Sequence, residues 1–219
     1  EWEQALQILK NNRKIIEKYG SIKLLEQNDI LMQKISREYA SQMEEAKFEE
    51  NLLNQFYEIT QKLNTITDLD VLIEQSLTSL IEIANADGGV LLLHANPNLP
   101  DAWEYKIYNN FSPDDKYHDH FLNICADVYQ NNKLENIKQP HFAPSYNNIL
   151  VLPLSIRKNT MGVILIFCKS GSKYFSERII NLLSALANQI IVIIDNIRSA
   201  NLEKSHAIIR EQLTSNNIY

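Results

Sequence analysis

Glycine and proline are scarce in this chain, at 5 and 6 of 219 residues, and cysteine is scarcer still, at 2. So little glycine and proline excludes collagen-like, elastic and long disordered character and argues against a fold rich in tight turns. Long helices are the expected alternative. Cys125 and Cys168 are too few for a disulfide-stapled secreted fold or a zinc ribbon, and they suit a reducing, cytoplasmic setting. Excess positive charge is missing too. With 21 Lys and Arg against 27 Asp and Glu the net charge is -6, which argues against a broad nucleic-acid-binding face, because phosphates need clustered cations. The longest unbroken apolar run, Ile190 to Ile194, is far short of the ~20 residues of a membrane span, so no membrane contact is expected in this segment. The first residue is Glu1 rather than Met, from which a longer parent chain is expected.

What is present is helical at both ends. Leu6, Leu9, Ile15, Ile16 and Tyr19 recur at three- and four-residue steps and predict a helix over residues 1–19. Gly20 suits its C-terminus and Ser21 can cap a new one. A second helical pattern runs from Ile22 to Asn64 without Gly or Pro, with Leu31, Ile35, Tyr39 and Met43 in a narrow apolar stripe. A helix this long cannot bury itself on a small domain. Its cover is either a second copy in a parallel coiled coil or the first helix folded back at Gly20.

The pattern changes at Thr67-Asp68. Asp68 can cap a helix that continues to Ala84, and Ala86-Asp87-Gly88-Gly89 ends it. Val90 to His94 and Trp103 to Asn109 read as strands, Ser112-Pro113 as a helix start, and Leu134 to Lys138 as a short edge strand. Residues 139–148, with Pro140 and Pro144, read as a loop over a pocket. Ile149 to Ile156 and Met161 to Phe167 are apolar strands joined by a tight turn, hence an antiparallel hairpin. Ser176 caps a helix running unbroken to Leu213.

In order and residues, the chain resembles a GAF domain, a small sensory module of signalling proteins. The match rests on Phe56-Tyr-Glu-Ile-Thr-Gln-Lys-Leu-Asn64 with Asp68-Leu-Asp-Val-Leu72, and on Ala86-Asp-Gly-Gly-Val-Leu-Leu-Leu93. It rests also on Val151-Leu-Pro-Leu154, Gly162-Val-Ile-Leu165, Phe175-Ser-Glu-Arg178, Leu183 to Ile190, and Asp195-Asn-Ile-Arg198. The resemblance implies an α+β fold: an antiparallel sheet of five to six strands, helices on both faces, and long terminal helices in a dimeric bundle. It divides the chain into a helix over 1–20, a coiled-coil helix over 21–50, the sensory domain over 51–198 and an outgoing linker helix over 199–219. It further implies a non-catalytic regulatory module of a multidomain protein, foremost a histidine kinase, then a nucleotide or diguanylate cyclase or a transcriptional activator.

Cyclic-nucleotide binders carry an Asn-Lys, Phe and Asp-Glu pattern; here the stretch reads Cys168-Lys169, Phe175 and Ile179-Ile180, without the Asn or the acidic pair. Bilin binders have His after the attachment cysteine, where Cys125 is followed by Ala126. His118 and His120 are two apart, which suits metal ligation on a helix poorly, and His94 is the one candidate axial haem ligand. No metal site, catalytic residue or resident cofactor is therefore expected. A free methionine sulfoxide reductase is the enzymatic alternative, with only two thiols to serve it; a ligand-free interaction scaffold is the other. If a small molecule binds, the expected contacts are Trp103, Tyr105, Phe121, Cys125, Tyr129, Phe142 and Tyr146, with Trp103, Tyr105 and Ile107 on one strand face. The alternative is that these rings form a second small core. A parallel homodimer is expected through Leu31, Ile35, Tyr39 and Met43 and through Leu186, Ile190, Ile193, Ile194 and Ile197 of the last helix. The competing account buries both faces of that helix within one chain, with the helix over residues 1–19 folded back at Gly20 as the cover.

Overall fold

A computed structural model describes residues 2–94, 103–112, 114–169 and 174–216. Five helices and five strands follow in the order α1 (Trp2–Tyr19), α2 (Ile22–Asn64), α3 (Leu69–Ala84), β1 (Gly88–His94), β2 (Trp103–Asn109), α4 (His118–Asn131), β3 (Glu135–Lys138), β4 (Tyr146–Ile156), β5 (Asn159–Lys169) and α5 (Glu177–Asn216). The chain divides into two compact units, Glu1–Asn54 and Gln55–Tyr219, with the division inside α2.

The first unit is a helical hairpin. Gly20 takes a φ of 73° between the helices, a conformation that glycine adopts at little cost. α1 lies back along α2: Trp2 Nε1 donates to Gln42 Oε1 at 2.8 Å, Tyr39 Oη to Glu3 Oε1 at 3.1 Å, and Arg13 pairs with Asp29 at 2.9 Å. The buried Asn28 amide donates to the Leu9 carbonyl at 3.3 Å and fixes the register. Two expected dimer residues are corrected by this packing. Ile35 and Tyr39 are half-buried in the hairpin, because α1 supplies the cover, whereas Leu31 and Met43 stay exposed.

The second unit is α+β around an antiparallel five-stranded sheet ordered β2-β1-β5-β4-β3. Asp68 caps α3 as expected, its carboxylate accepting from Val71 N at 3.0 Å. Arg157 and Lys158, with φ of 50° and 74°, form the two-residue turn between β4 and β5. Two positive φ values give the twist that suits a tight hairpin. β1 is buried at every position, so both faces of the sheet are covered. On one face lie α3, α5 and the last turns of α2. Leu63, Leu77, Leu80, Leu91, Leu150, Ile164, Leu186 and Ile190 share this larger core. On the other face lies α4.

Three expectations are revised here. Leu186, Ile190 and Ile194 are fully buried, Ile193 is nearly so, and Ile197 packs on the same cluster. α5 touches both β4 and α3, so its two apolar faces are satisfied inside one chain. The first four are core, not a free dimer surface, and Ile197 is half-buried against them. α4 begins at His118 rather than at Ser112, because the preceding segment is held in turns: Asp115 N donates to the Ser112 carbonyl, and Asp115 Oδ1 accepts from Tyr117 N at 2.9 Å. β4 begins at Tyr146, not Ile149, which moves Tyr146 from a loop onto the sheet.

Candidate functional site

The α4 face of the sheet carries an aromatic and aliphatic cluster that includes the candidate ligand residues Phe121, Cys125 and Tyr146. Alternation along β5 turns Val163, Leu165 and Phe167 to this face, and β4 adds Ile149 and Val151. Gly88 makes room for Phe167: a Cβ there would stand 2.6 Å from the ring's Cζ and 2.5 Å from the Asn109 carbonyl oxygen. α4 brings Phe121, Cys125 and Val128 onto one buried stripe. Phe121 is the hub. Its ring lies 5.0 Å from Phe111, 5.1 Å from Tyr146 and 6.4 Å from Phe142 between centroids, and Tyr146 stands edge-on to Phe167 at 5.0 Å. Such offset and T-shaped contacts are the favoured arrangements of aromatic quadrupoles.

Six of the seven candidate ligand residues therefore belong to one cluster: Phe121, Cys125 and Tyr146 are buried in it and Phe142, Trp103 and Tyr129 pack against it. Trp103 and Tyr129 form a triangle with the buried His94, at 4.1 and 4.4 Å from its ring and 5.4 Å from each other. The side chain of Tyr105 lies outside the described residues. Trp103 and Ile107 do not share a face. β1 and β2 slip register between Leu93 and His94, so Trp103 pairs with His94 while Ile107 pairs with Leu91. Ile107 accordingly joins the α3–α5 core and Trp103 the α4 face. Sequence reasoning missed Phe111, Tyr117 and Phe167. The period-two pattern of β5 was the signal for Phe167; nothing local marked the other two.

Burial governs the chemistry of this face. It pushes the Cys125 thiol far up from its usual range, and Tyr146 up to about 12 with Asp115 adding to the effect. Cys168 is pushed up to about 11, first by burial and then by Asp87. Cys125 belongs to the α4 cluster and Cys168 to the α3–α5 cluster, on opposite sides of the sheet, and both are free thiols. Two protonated thiols separated by a sheet cannot act as nucleophile and resolving partner. Both are expected to react with a disulfide reagent such as dithionitrobenzoate at pH 8 only after denaturation. Labelling of the native chain within minutes would contradict this burial.

His118 Nε2 stands 3.3 Å from Tyr108 Oη and its Nδ1 3.3 Å from Asp119, while the His120 ring lies on Phe142. Among the described residues no three His, Cys, Asp or Glu side chains are grouped to hold a metal ion. An open cavity of about 560 Å³ is lined by Gln139, Pro140, His141, Pro144, Tyr146 and Asn147. Of the candidate ligand residues whose side chains are described, only Tyr146 lines it. At the far end of the sheet, Arg198 of α5 donates to the His94 carbonyl at 3.1 Å and pairs with Glu104 at 2.7 Å, tying the outgoing helix to β1 and β2.

The model of the GAF domain family matches residues 68–194, more than half of the chain. The chain belongs to the GAF family. Solved GAF domains share its fold. That of a phosphoenolpyruvate-protein phosphotransferase from Acinetobacter is 19% identical, covering 67% of this chain and 94% of its own, with a TM-score of 0.53. The corresponding domain from Coxiella burnetii is 15% identical over 70% and 98%, with a TM-score of 0.53. A GAF domain assigned to a sensor histidine kinase from Pseudomonas syringae pv. tomato is 11% identical over 75% and 98%, at 0.56. No curated protein matches the chain. The family match starts at the α3 cap and stops within α5, so the hairpin and the last turns of α5 are additions to this GAF domain.

Proposed function

We propose that this chain is a non-catalytic, homodimeric regulatory module of a multidomain signalling protein, with a histidine kinase as its output, and that it works in the cytoplasm. The observation that carries the reading is the common root of its two long helices. Phe56, Ile59 and Leu63 at the end of α2 and Leu183, Leu186 and Ile190 at the start of α5 pack in one core on one face of the sheet. A rearrangement of the sheet therefore acts on the incoming and outgoing helices together. The choice of kinase output follows the fold likeness to a GAF domain assigned to such a protein. The input is a small molecule or a partner acting on the α4 face, where Trp103, Phe121, Cys125, Tyr129, Phe142 and Tyr146 stand. No resident haem, bilin or cyclic nucleotide belongs to the proposal. α5 is apolar enough over Glu177–Arg210 to pass for a membrane span, but its isoleucines from 190 to 194 are spent on the domain's own core.

The homodimer is tested by mass in solution. Sedimentation equilibrium at tens of micromolar is expected to give about twice the 25.3 kDa of one chain. A monomer at that concentration overturns the homodimer.

A further inference from the structure

The α4 face of the sheet and the outgoing helix meet at one residue, His94. Alternation along β1 puts His94 on the α4 face with Val90 and Leu92. Its ring is buried there, 4.1 Å from Trp103 of β2 and 4.4 Å from Tyr129 of α4. Its backbone carbonyl is held from the opposite layer: Arg198 of α5 donates to it through Nη1 at 3.1 Å. The same guanidinium reaches Glu104 Oε2 through Nη2 at 2.7 Å.

The register slip between β1 and β2 builds this junction. Leu93 pairs with Tyr105 and His94 with Trp103, so Glu104 is an extra residue, opposite nothing in the ladder. A bulge of this kind re-aims the side chains around it. Here it brings Trp103 onto His94 and leaves Glu104 to Arg198. Arg198 also stands where α5 leaves the domain: it is half-buried, and residues 199–210 are all exposed. Only 18% of its side chain is open to solvent, so its charge-assisted bonds are partly shielded from screening.

We propose that Arg198 is a latch on the outgoing helix, closed while the triangle of Tyr129, His94 and Trp103 is packed and opened by an input that shifts Tyr129. Tyr129 follows Phe121 and Cys125 at four-residue steps on α4, so a movement of α4 reaches His94 directly. The His94 ring is 1% exposed, and a close-packed ring passes displacement to the strand end that carries it. The His94 carbonyl then moves away from Arg198. This rests on the regulatory reading above and gives it a route from the α4 face to α5.

The test reads amide hydrogen exchange over residues 195–202 of the full chain by mass spectrometry. Arg198→Gln is expected to speed exchange there about tenfold, through loss of the charge-assisted bonds. Tyr129→Leu, on the other side of the sheet, should speed the same amides at least about fivefold. The two effects should not multiply: the double variant should exchange like Arg198→Gln alone, because both open one latch. Tyr129→Phe keeps the ring and should exchange like the parent. Tyr108→Leu removes an aromatic from the same face, but at a position paired with Val90 rather than His94. It should leave these amides unchanged, which separates coupling from a general loss of stability. Arg198→Gln without effect overturns the latch. Tyr129→Leu without effect, factors that multiply in the double variant, or an equal response to Tyr108→Leu overturns its coupling to the α4 face. Each of these outcomes leaves transmission along α5 standing, because insertions at the junction with an output domain test that separately.

Discussion

Replacing Ile190 and Ile194 together by glutamate is expected to abolish cooperative unfolding of the domain. Both side chains are fully buried in the layer between sheet and α3. Each substitution removes an aliphatic from the core and puts a carboxylate in its place, a change that ranks among the largest single-site effects, at about 4 kcal/mol or more. Two of them approach the whole stability of an ordinary domain, about 5–15 kcal/mol. Circular dichroism on heating should then show a broad, non-cooperative melt. Val192, on the same helix but 43% exposed, is the control: Val192→Glu should move stability by no more than about 0.5 kcal/mol. A folded double variant with an altered mass would restore the α5 isoleucines to an intermolecular surface.

Phe121→Ala separates a core from a ligand cage. The ring is 1% exposed and in contact with four aromatic neighbours, Phe111, Phe142, Tyr146 and Phe167. Packed in this way, its removal leaves a void that the surrounding rings can close only in part, and the expected loss is about 3–5 kcal/mol. Urea unfolding should show a lower midpoint at unchanged slope. A loss below about 1 kcal/mol would instead mean that the ring lines space open to solvent or ligand. The result bears directly on how an input reaches this face. A cluster that contributes this much stability must be opened at cost, and Phe142, on the β3–β4 connection, is with Phe111 one of its half-buried rings.

Much of this fold was legible because its signals are local. Asp68 announces α3, Arg157-Lys158 sits where the apolar runs of β4 and β5 break, and the unbroken run after Ser176 announces α5. What misled was the cover of each apolar stripe. Periodicity shows that Ile190 and Ile194 need burial, but not whether the burying surface belongs to the same chain; α3 supplies it, and it lies about a hundred residues earlier. The same ambiguity applied to Ile35 and Tyr39, and the hairpin at Gly20 resolved it. The candidate site was less legible. A register slip after Leu93 separates Trp103 from Ile107, and an extra residue in one strand leaves no mark in a period-two pattern. Phe111 and Tyr117 reach the aromatic cluster through turns whose course no repeat encodes.

The central claim, that this GAF domain regulates by passing a change along its outgoing helix, is tested most directly by joining α5 to a histidine-kinase catalytic core and inserting residues at the junction. Helix register turns by about 100° per residue, so two or five inserted residues turn the output to about the opposite side and seven nearly restore it. Autophosphorylation is expected to follow that period: strongly altered by two or five residues, recovered by seven. Activity indifferent to the length of the insertion would contradict transmission through α5.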